Sequence, residues 1–252
     1  MNRNRISLQN VNLHYSSSAF RDRSLKALLS QTFHAKNVRA KVHDVHALKD
    51  VTVEIRAGER VGLIGHNGAG KTTFLKMLAG LYPISSGTRI VQGSIRSLFD
   101  LSLGFEPDAT GRENILYRGL LIGQTPRHMR EVEAEIVAFA DLGEYIDYPI
   151  KTYSAGMQVR LAFAISTAVG GDVLLLDEVI GVGDENFMKK ARQRIFSLID
   201  KSEILVLATH DVPSLSALCD RALVFRHGAL VFDGAVAPAL AEYRSIQSAA
   251  GA

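Results

Sequence analysis

The polar and apolar positions of residues 6–15 (I-S-L-Q-N-V-N-L-H-Y) alternate with the period of a half-buried strand, and predict an opening strand that ends on Tyr15. Strand patterning resumes from Ala47 to Ile55 and turns at Ala57-Gly58. Val61-Gly62-Leu63-Ile64 is a short continuous apolar run, the mark of a strand covered on both faces. From Thr73 to Leu81 the spacing becomes helical, with Phe74, Leu75, Met77, Leu78 and Leu81 on one side and Gly80 and Pro83 closing it. Residues 84–99 read as strand, turn and strand, with Gly87 and Gly93 as breakers and Ile95 to Phe99 as the apolar run.

The middle of the chain changes period. Thr110-Gly111-Arg112-Glu113-Asn114 opens a helix, and Thr125-Pro126 caps another whose buried face is Met129, Val132, Ile136 and Phe139 and which stops at Gly143. Residues 100–165 are therefore expected to be helical, inserted between strand-rich halves. Val173 to Leu176 and Ile204 to Ala208 are again continuous apolar strands. The helix between them buries Phe187, Ala191, Ile195 and Leu198, with Lys189, Lys190, Arg192 and Arg194 on a solvated face. A hairpin-like stretch, 222–233, follows. Strands alternating with helices in this way give an α/β protein with a parallel sheet.

The chain has 252 residues, 47% hydrophobic and 22% charged, enough for one large α/β domain. A net charge of +3 permits an anionic ligand or surface without requiring one. Cys219 is the only cysteine, which excludes a disulfide framework and fits a reducing compartment. Met1 to Arg5 leads into Ile6-Ser7-Leu8 without the apolar core of a signal peptide, and no apolar run approaches the roughly 20 residues of a membrane helix. The expectation is a soluble protein, or one peripheral to a membrane. Segment 16–46 stands apart: Arg21, Arg23, Lys26, Lys36, Arg39 and Lys41 face only Asp22 and Asp44, and Leu25, Leu28 and Leu29 mark a short amphipathic helix. It is either a solvated insertion or a basic element at a membrane face or membrane-protein partner. His43, Asp44 and His46 lack a further well-spaced ligand and are not read as a metal site.

The chemistry concentrates in Gly65-His66-Asn67-Gly68-Ala69-Gly70-Lys71-Thr72, which fits G-x-x-x-x-G-K-[ST], between a strand and a helix. Glycines let the backbone wrap with N–H groups inward, and the helix start that follows, through Thr73, adds a favourable field for phosphate. Lys71 would reach the β- and γ-phosphates and the Thr72 hydroxyl would ligate Mg²⁺. Asp177-Glu178, after four apolar strand residues, suits one carboxylate near Mg²⁺ and a neighbour that orients an attacking water. Thr209-His210-Asp211 ends the next strand and puts an imidazole at the same sheet edge. Tyr153-Ser154-Ala155-Gly156-Met157-Gln158 begins a further helix, where Ser154 and Gly156 offer a second anion site. One chain needs two phosphate sites for one nucleotide only when the second serves a neighbour.

The order of phosphate loop, Y-S-A-G-M-Q, L-L-L-D-E, G-V-G-D and A-T-H-D resembles the ATP-binding cassette (ABC) ATPases over essentially the whole chain. The resemblance implies a P-loop NTPase: a RecA-like core sheet with an antiparallel β-subdomain and an inserted α-helical subdomain at 100–165. Tyr153 to Met157 stands at the family's signature motif, usually L-S-G-G-Q. Tyr replaces Leu, Ala155 the first Gly and Met157 the Gln, while Ser154 and Gly156 are retained. Implied with it are ATP and Mg²⁺, and a head-to-tail homodimer in which Ser154, Ala155, Gly156 and Met157 meet the partner's ATP. Glu178 would be the general base, Asp177 the Mg²⁺ partner, His210 the switch histidine and Gly181-Val182-Gly183-Asp184 the D-loop. Tyr15 would stack on adenine. The family's magnesium-sensing Gln is replaced by Asp100-Leu101-Ser102, with Asp100 the substitute ligand and Glu106 a weaker one.

G-F-E-P-D-A-T-G-R-E-N-I, Y-S-A-G-M-Q-V-R-L-A-F-A and D-E-V-I-G-V-G-D-E-N-F-M-K-K look like the ATPases of bacterial exporters of O-antigen, teichoic acid or capsule. Segment 16–46 resembles that group's extra N-terminal region near the membrane subunit. The resemblance implies a transmembrane permease partner and a place at the cytoplasmic face of the inner membrane. It implies no direct nucleic-acid binding, and, with no carbohydrate-binding domain after Asp233, glycan recognition elsewhere. Two alternatives are an ABC ATPase acting on nucleic acid or ribosomes and one serving a drug or lipid exporter.

Overall fold

The computed structural model describes residues 4–16, 44–99, 104–177 and 185–250. Its strands are β1 (Arg5–Ser16), β2 (Asp44–Arg56), β3 (Arg60–Ile64), β4 (Ser86–Gln92), β5 (Ile95–Leu98), β6 (Val173–Asp177), β7 (Ile204–Ala208), β8 (Arg221–Arg226) and β9 (Ala229–Ala235). They join in the order β4-β1-β2-β9-β8-β3-β7-β6-β5. From β8 to β5 every neighbouring pair is parallel. β1 pairs antiparallel with β2 and β4, and β9 pairs antiparallel with β8. The parallel strands β3, β6, β7 and β8 carry the continuous apolar runs, because helices and the β1–β2 layer cover both of their faces; β5 carries Arg96 and Ser97 in its middle. β2 instead alternates from Val51 to Ile55, with Val51, Val53 and Ile55 buried between exposed neighbours.

Period 2 divides the core. Val173 and Leu175 of β6 join one cluster with Ile6, Ile55, Phe74 and Phe225. Leu174 and Leu176 point the other way, into a cluster with Phe163, Phe187 and Val224. Seven helices complete the described fold: α1 (Lys71–Leu78), α2 (Gly111–Leu121), α3 (Pro126–Ala140), α4 (Ala155–Ala168), α5 (Glu185–Lys201), α6 (Val212–Leu218) and α7 (Val236–Ala250). α2, α3 and α4 form a third cluster around Ile115, Met129, Ile136, Leu161 and Ile165. None of the described helices is long and apolar enough to cross a membrane.

The caps follow the sequence. Thr110 accepts the Glu113 N–H at 3.1 Å while the Glu113 carboxylate accepts the Thr110 N–H at 2.8 Å, a complete capping box. Thr125 caps α3 with Pro126 in its first turn. Two expectations need correction. α3 ends at Ala140 rather than running to Gly143, because Asp141 takes the left-handed cap at φ 51° and Gly143–Asp147 winds as a 3₁₀ turn. Arg194 does not belong to a solvated face: it bonds Glu135 of α3, and its guanidinium lies 4.7 Å from the Phe139 ring centre. α7 is an element the residue pattern did not announce. Val236, Ala239, Leu240, Tyr243 and Ile246 form its packed side, and Pro238 falls in the first turn, where no N–H is required.

Candidate nucleotide site

β3 delivers the chain into the phosphate loop, where close packing explains Gly65 and Gly70. A Cβ on Gly65 would stand 2.6 Å from the Phe225 carbonyl oxygen, and Gly70 takes φ 109° with a Cβ position 3.1 Å from the Ala47 carbonyl oxygen. α1 starts at Lys71 with Gly70 as N-cap and no side-chain cap, so its first N–H groups remain for a ligand. Lys71 is only 9% exposed and donates from Nζ to the carbonyls of Gly65 at 2.6 Å and His66 at 3.2 Å. A cation held over the loop's own carbonyls is suited to an anionic ligand.

A cavity of about 570 Å³ opens above this loop, lined by residues 67–73. Asp177 at the end of β6 and His210 just beyond β7 reach it from the sheet edge, and Tyr15 lines it as well. The Tyr15 hydroxyl is 3.1 Å from Thr73 Oγ1, and its ring meets Tyr82 edge-on at 5.5 Å and 87°. Burial raises the Tyr15 pKa, so the ring stays a neutral phenol. His210 is exposed, at the corner where Asp211 caps α6. The Asp211 carboxylate accepts the Ser214 N–H at 3.0 Å, and hydrogen bonds from Ser214 hold its pKa down. Thr72 Oγ1 and the Asp177 carboxylate share the cavity, and two hard oxygen donors beside a phosphate loop fit Mg²⁺.

The signature residues lie elsewhere. Ser154 caps α4, accepting the Met157 N–H at 3.2 Å; Ser154 and Ala155 are exposed, Gly156 and Met157 half-buried. None of the four lines the cavity. A Cβ on Gly156 would find no atom nearer than Ser154 Oγ at 3.9 Å, so its own fold does not require glycine there.

Several cavity residues went unrecognised in the sequence. His227 and Gly228 form a two-residue turn between β8 and β9 with φ of 48° and 84°, the hand that matches strand twist. The His227 ring is 5.0 Å from that of His66. Val45, His46, Ala47 and Lys49 supply a further wall. His46 stacks on His14 at 4.0 Å, with Nε2 2.7 Å from Asn12 Oδ1; burial, then His14, lowers its pKa. The H-G dipeptide was a local turn signal; nothing in it named a long-range partner.

A model of the ABC transporter family matches residues 48–181. The O-antigen export system ATP-binding protein RfbE of Yersinia enterocolitica is 42% identical over 190 residues, 75% of this chain and 80% of that protein. RfbB of Myxococcus xanthus, named in the same way, is 42% identical over 208 residues, 82% of this chain and 48% of its own length. The chain belongs to the ABC transporter family. The teichoic acids export ATP-binding protein TagH of Levilactobacillus brevis is 32% identical over 240 residues, 95% of this chain. The chain thus spans about half of the Myxococcus relative and 64% of the Levilactobacillus one. The dimeric ATP-binding cassette MJ0796 bound to ADP and Pi superposes with a TM-score of 0.64, covering 92% of this chain at 20% identity, a likeness of fold.

Within this ABC fold, the phosphate loop, Tyr15, Asp177 and His210 come together around one cavity. Glu106 does not line it: its amide bonds Asn114 Oδ1 at 2.7 Å in the turn before α2. Asp100, Glu178, residues 181–184 and residues 17–43 of the basic segment lie outside the described residues. Asp44 and His46 are strand residues of β2, and no group of three metal-ligating side chains occurs among the described residues. Cys219 is buried, and burial pushes its thiol up to about 12, which makes it inert at neutral pH.

Proposed function

We propose that the chain is the ATP-hydrolysing subunit of a bacterial ABC exporter for a lipid-linked polysaccharide of the O-antigen, teichoic acid or capsule class. The observation that carries the ATPase reading is a split. The phosphate loop, Asp177 and His210 line one cavity, while the exposed start of α4 at Ser154 and the open space at Gly156 take no part in lining it. A half-site and an unused anion-binding helix start on one chain are complementary between two copies arranged head to tail. Each ATP is then held between the phosphate loop of one copy and Ser154 to Met157 of the other.

In this arrangement Lys71 and the loop N–H groups hold the β- and γ-phosphates, and Tyr15 stacks on the adenine. Thr72 and Asp177 would hold Mg²⁺, which would neutralise charge developing on the phosphate oxygens. Glu178 takes a proton from water as its oxygen bonds to the γ-phosphorus. The bond to the bridging oxygen of the leaving ADP breaks, and His210 orients the γ-phosphate and water. Binding closes the dimer and hydrolysis reopens it, and both motions pass to a separate transmembrane permease to which the chain is peripheral. The glycan class rests on relatives at 42% and 32% identity named for O-antigen and teichoic acid export. These names favour export over an ABC ATPase working on ribosomes or nucleic acid. The deciding experiment is deletion in the source bacterium. Surface glycan should disappear while lipid-linked glycan accumulates inside, and unchanged surface glycan would refute the export reading.

A further inference from the structure

A second cavity, of about 250 Å³, lies beside the phosphate loop. Gly65, Thr209 and His210 line one end; Leu240, Tyr243 and Gln247 of α7 line the other. His210 borders both cavities. Gln247 Nε2 donates to the Tyr243 hydroxyl oxygen at 3.0 Å, which leaves the Tyr243 O–H available to donate in turn. The remaining polar lining groups, the Thr209 hydroxyl and the His210 ring, can each take part in a hydrogen-bonded chain. No carboxylate, lysine or arginine is among the described lining residues, so the site suits water rather than an ion. A water needs about 10–15 Å³ of such volume and two to four polar partners, and this cavity offers both. α7 is fixed in place: it packs on β3, β8, β9 and α6, the last being the helix that Asp211 caps directly after His210.

We propose that Tyr243 is a positioning residue for His210. Its O–H, aimed by Gln247, holds the imidazole through ordered water in this cavity. The last helix thereby sets the catalytic corner without touching ATP. The proposal rests on the reading of His210 as a group acting at the γ-phosphate.

Tyr243→Phe removes only the hydroxyl and keeps the ring packed. In the full-length protein with Mg-ATP, it should lower kcat about fivefold, the worth of one hydrogen bond. KM for ATP and the melting temperature should not change. Gln247→Leu should act in the same direction. In a His210→Ala background, Tyr243→Phe should do nothing further, because both act through one group. A wild-type kcat for Tyr243→Phe, or an equal loss with and without His210, would overturn the proposal. Wild-type turnover by His210→Ala itself would remove the role of His210, and this proposal with it.

Discussion

The Gly228 N–H donates to the Ala69 carbonyl at 2.9 Å, tying the β8–β9 turn to the middle of the phosphate loop. The same glycine accepts the Lys49 N–H at 2.9 Å, so one turn joins the loop to β2. A side chain cannot be added there without cost. φ is 84°, and a Cβ would stand 2.5 Å from the Ala47 carbonyl oxygen. Gly228→Ala should therefore cost about 1–3 kcal/mol of backbone strain. Relieving it by shifting the turn releases Ala69, so ATP affinity should fall about tenfold, a loss of about 1.4 kcal/mol in binding. Titration with a fluorescent ATP analogue, alongside a thermal melt, checks both; unchanged affinity would show that the loop holds its shape without the turn.

Lys71 and Glu178 should separate binding from chemistry. Lys71→Ala removes the buried ammonium that lies against the Gly65 and His66 carbonyls and should weaken Mg-ATP binding by tenfold or more. Glu178→Gln leaves the phosphate site intact and removes only the base, so ATP should bind, turnover should fall by about 10²–10⁴ and the dimer should persist. Size-exclusion chromatography with ATP reads the trapped dimer; full turnover by Glu178→Gln would contradict its role.

The parallel core was legible from the order of apolar residues. Val173–Leu176 and Ile204–Ala208 are apolar without interruption because both faces are covered, and the phosphate loop between strand and helix fixed the cavity's floor. What stayed hidden depends on contacts between distant segments. His227-Gly228 reads as a turn, yet its importance lies in Ala69 and Lys49 far away in sequence. Arg194 sits on a cationic helix face, but Phe139 and Glu135 of another helix recruit it. α7 escaped because alanines dominate its sequence and Pro238 suggests a break. Its apolar side has meaning only once β3, β8 and β9 present a surface to cover.

His46 should make stability depend on pH. Burial first, then His14 stacked at 4.0 Å and Lys49 along the strand, lower its pKa; Asp50 opposes them. Asn12 Oδ1 is its hydrogen-bond partner. A histidine whose folded pKa lies below the unfolded value near 6.5 binds its proton better when unfolded. Its contribution is therefore complete above about pH 6.5 and is lost as pH falls through the lowered folded value. The melting temperature should drop between pH 7.5 and 5.5 by more in the wild type than in His46→Gln. Equal drops in the two proteins would remove His46 as a source of the acid sensitivity.

Gly156→Ala should improve the fold and damage the function. Gly156 is the second residue of α4, in the turn that Ser154 caps, and its Cβ position meets nothing closer than 3.9 Å. Inside one chain a methyl group there is tolerated, and replacing glycine in a helix gains about 0.5–1 kcal/mol. The melting temperature of the isolated subunit should hold or rise. In the proposed ATP sandwich, however, the α4 start would have to approach the γ-phosphate of the other copy closely enough for its N–H groups to bond it. A methyl group at that approach keeps the two surfaces apart. ATP-induced dimerisation of the Glu178→Gln variant should weaken when Gly156→Ala is added, and wild-type turnover should fall at least tenfold when Gly156→Ala is introduced there, while ATP binding to the monomer stays unchanged. A strain or folding defect would move stability and activity together. Opposite movement of the two is the signature of a glycine kept for a neighbour, and a dimer as tight as before would mean that α4 meets no second nucleotide.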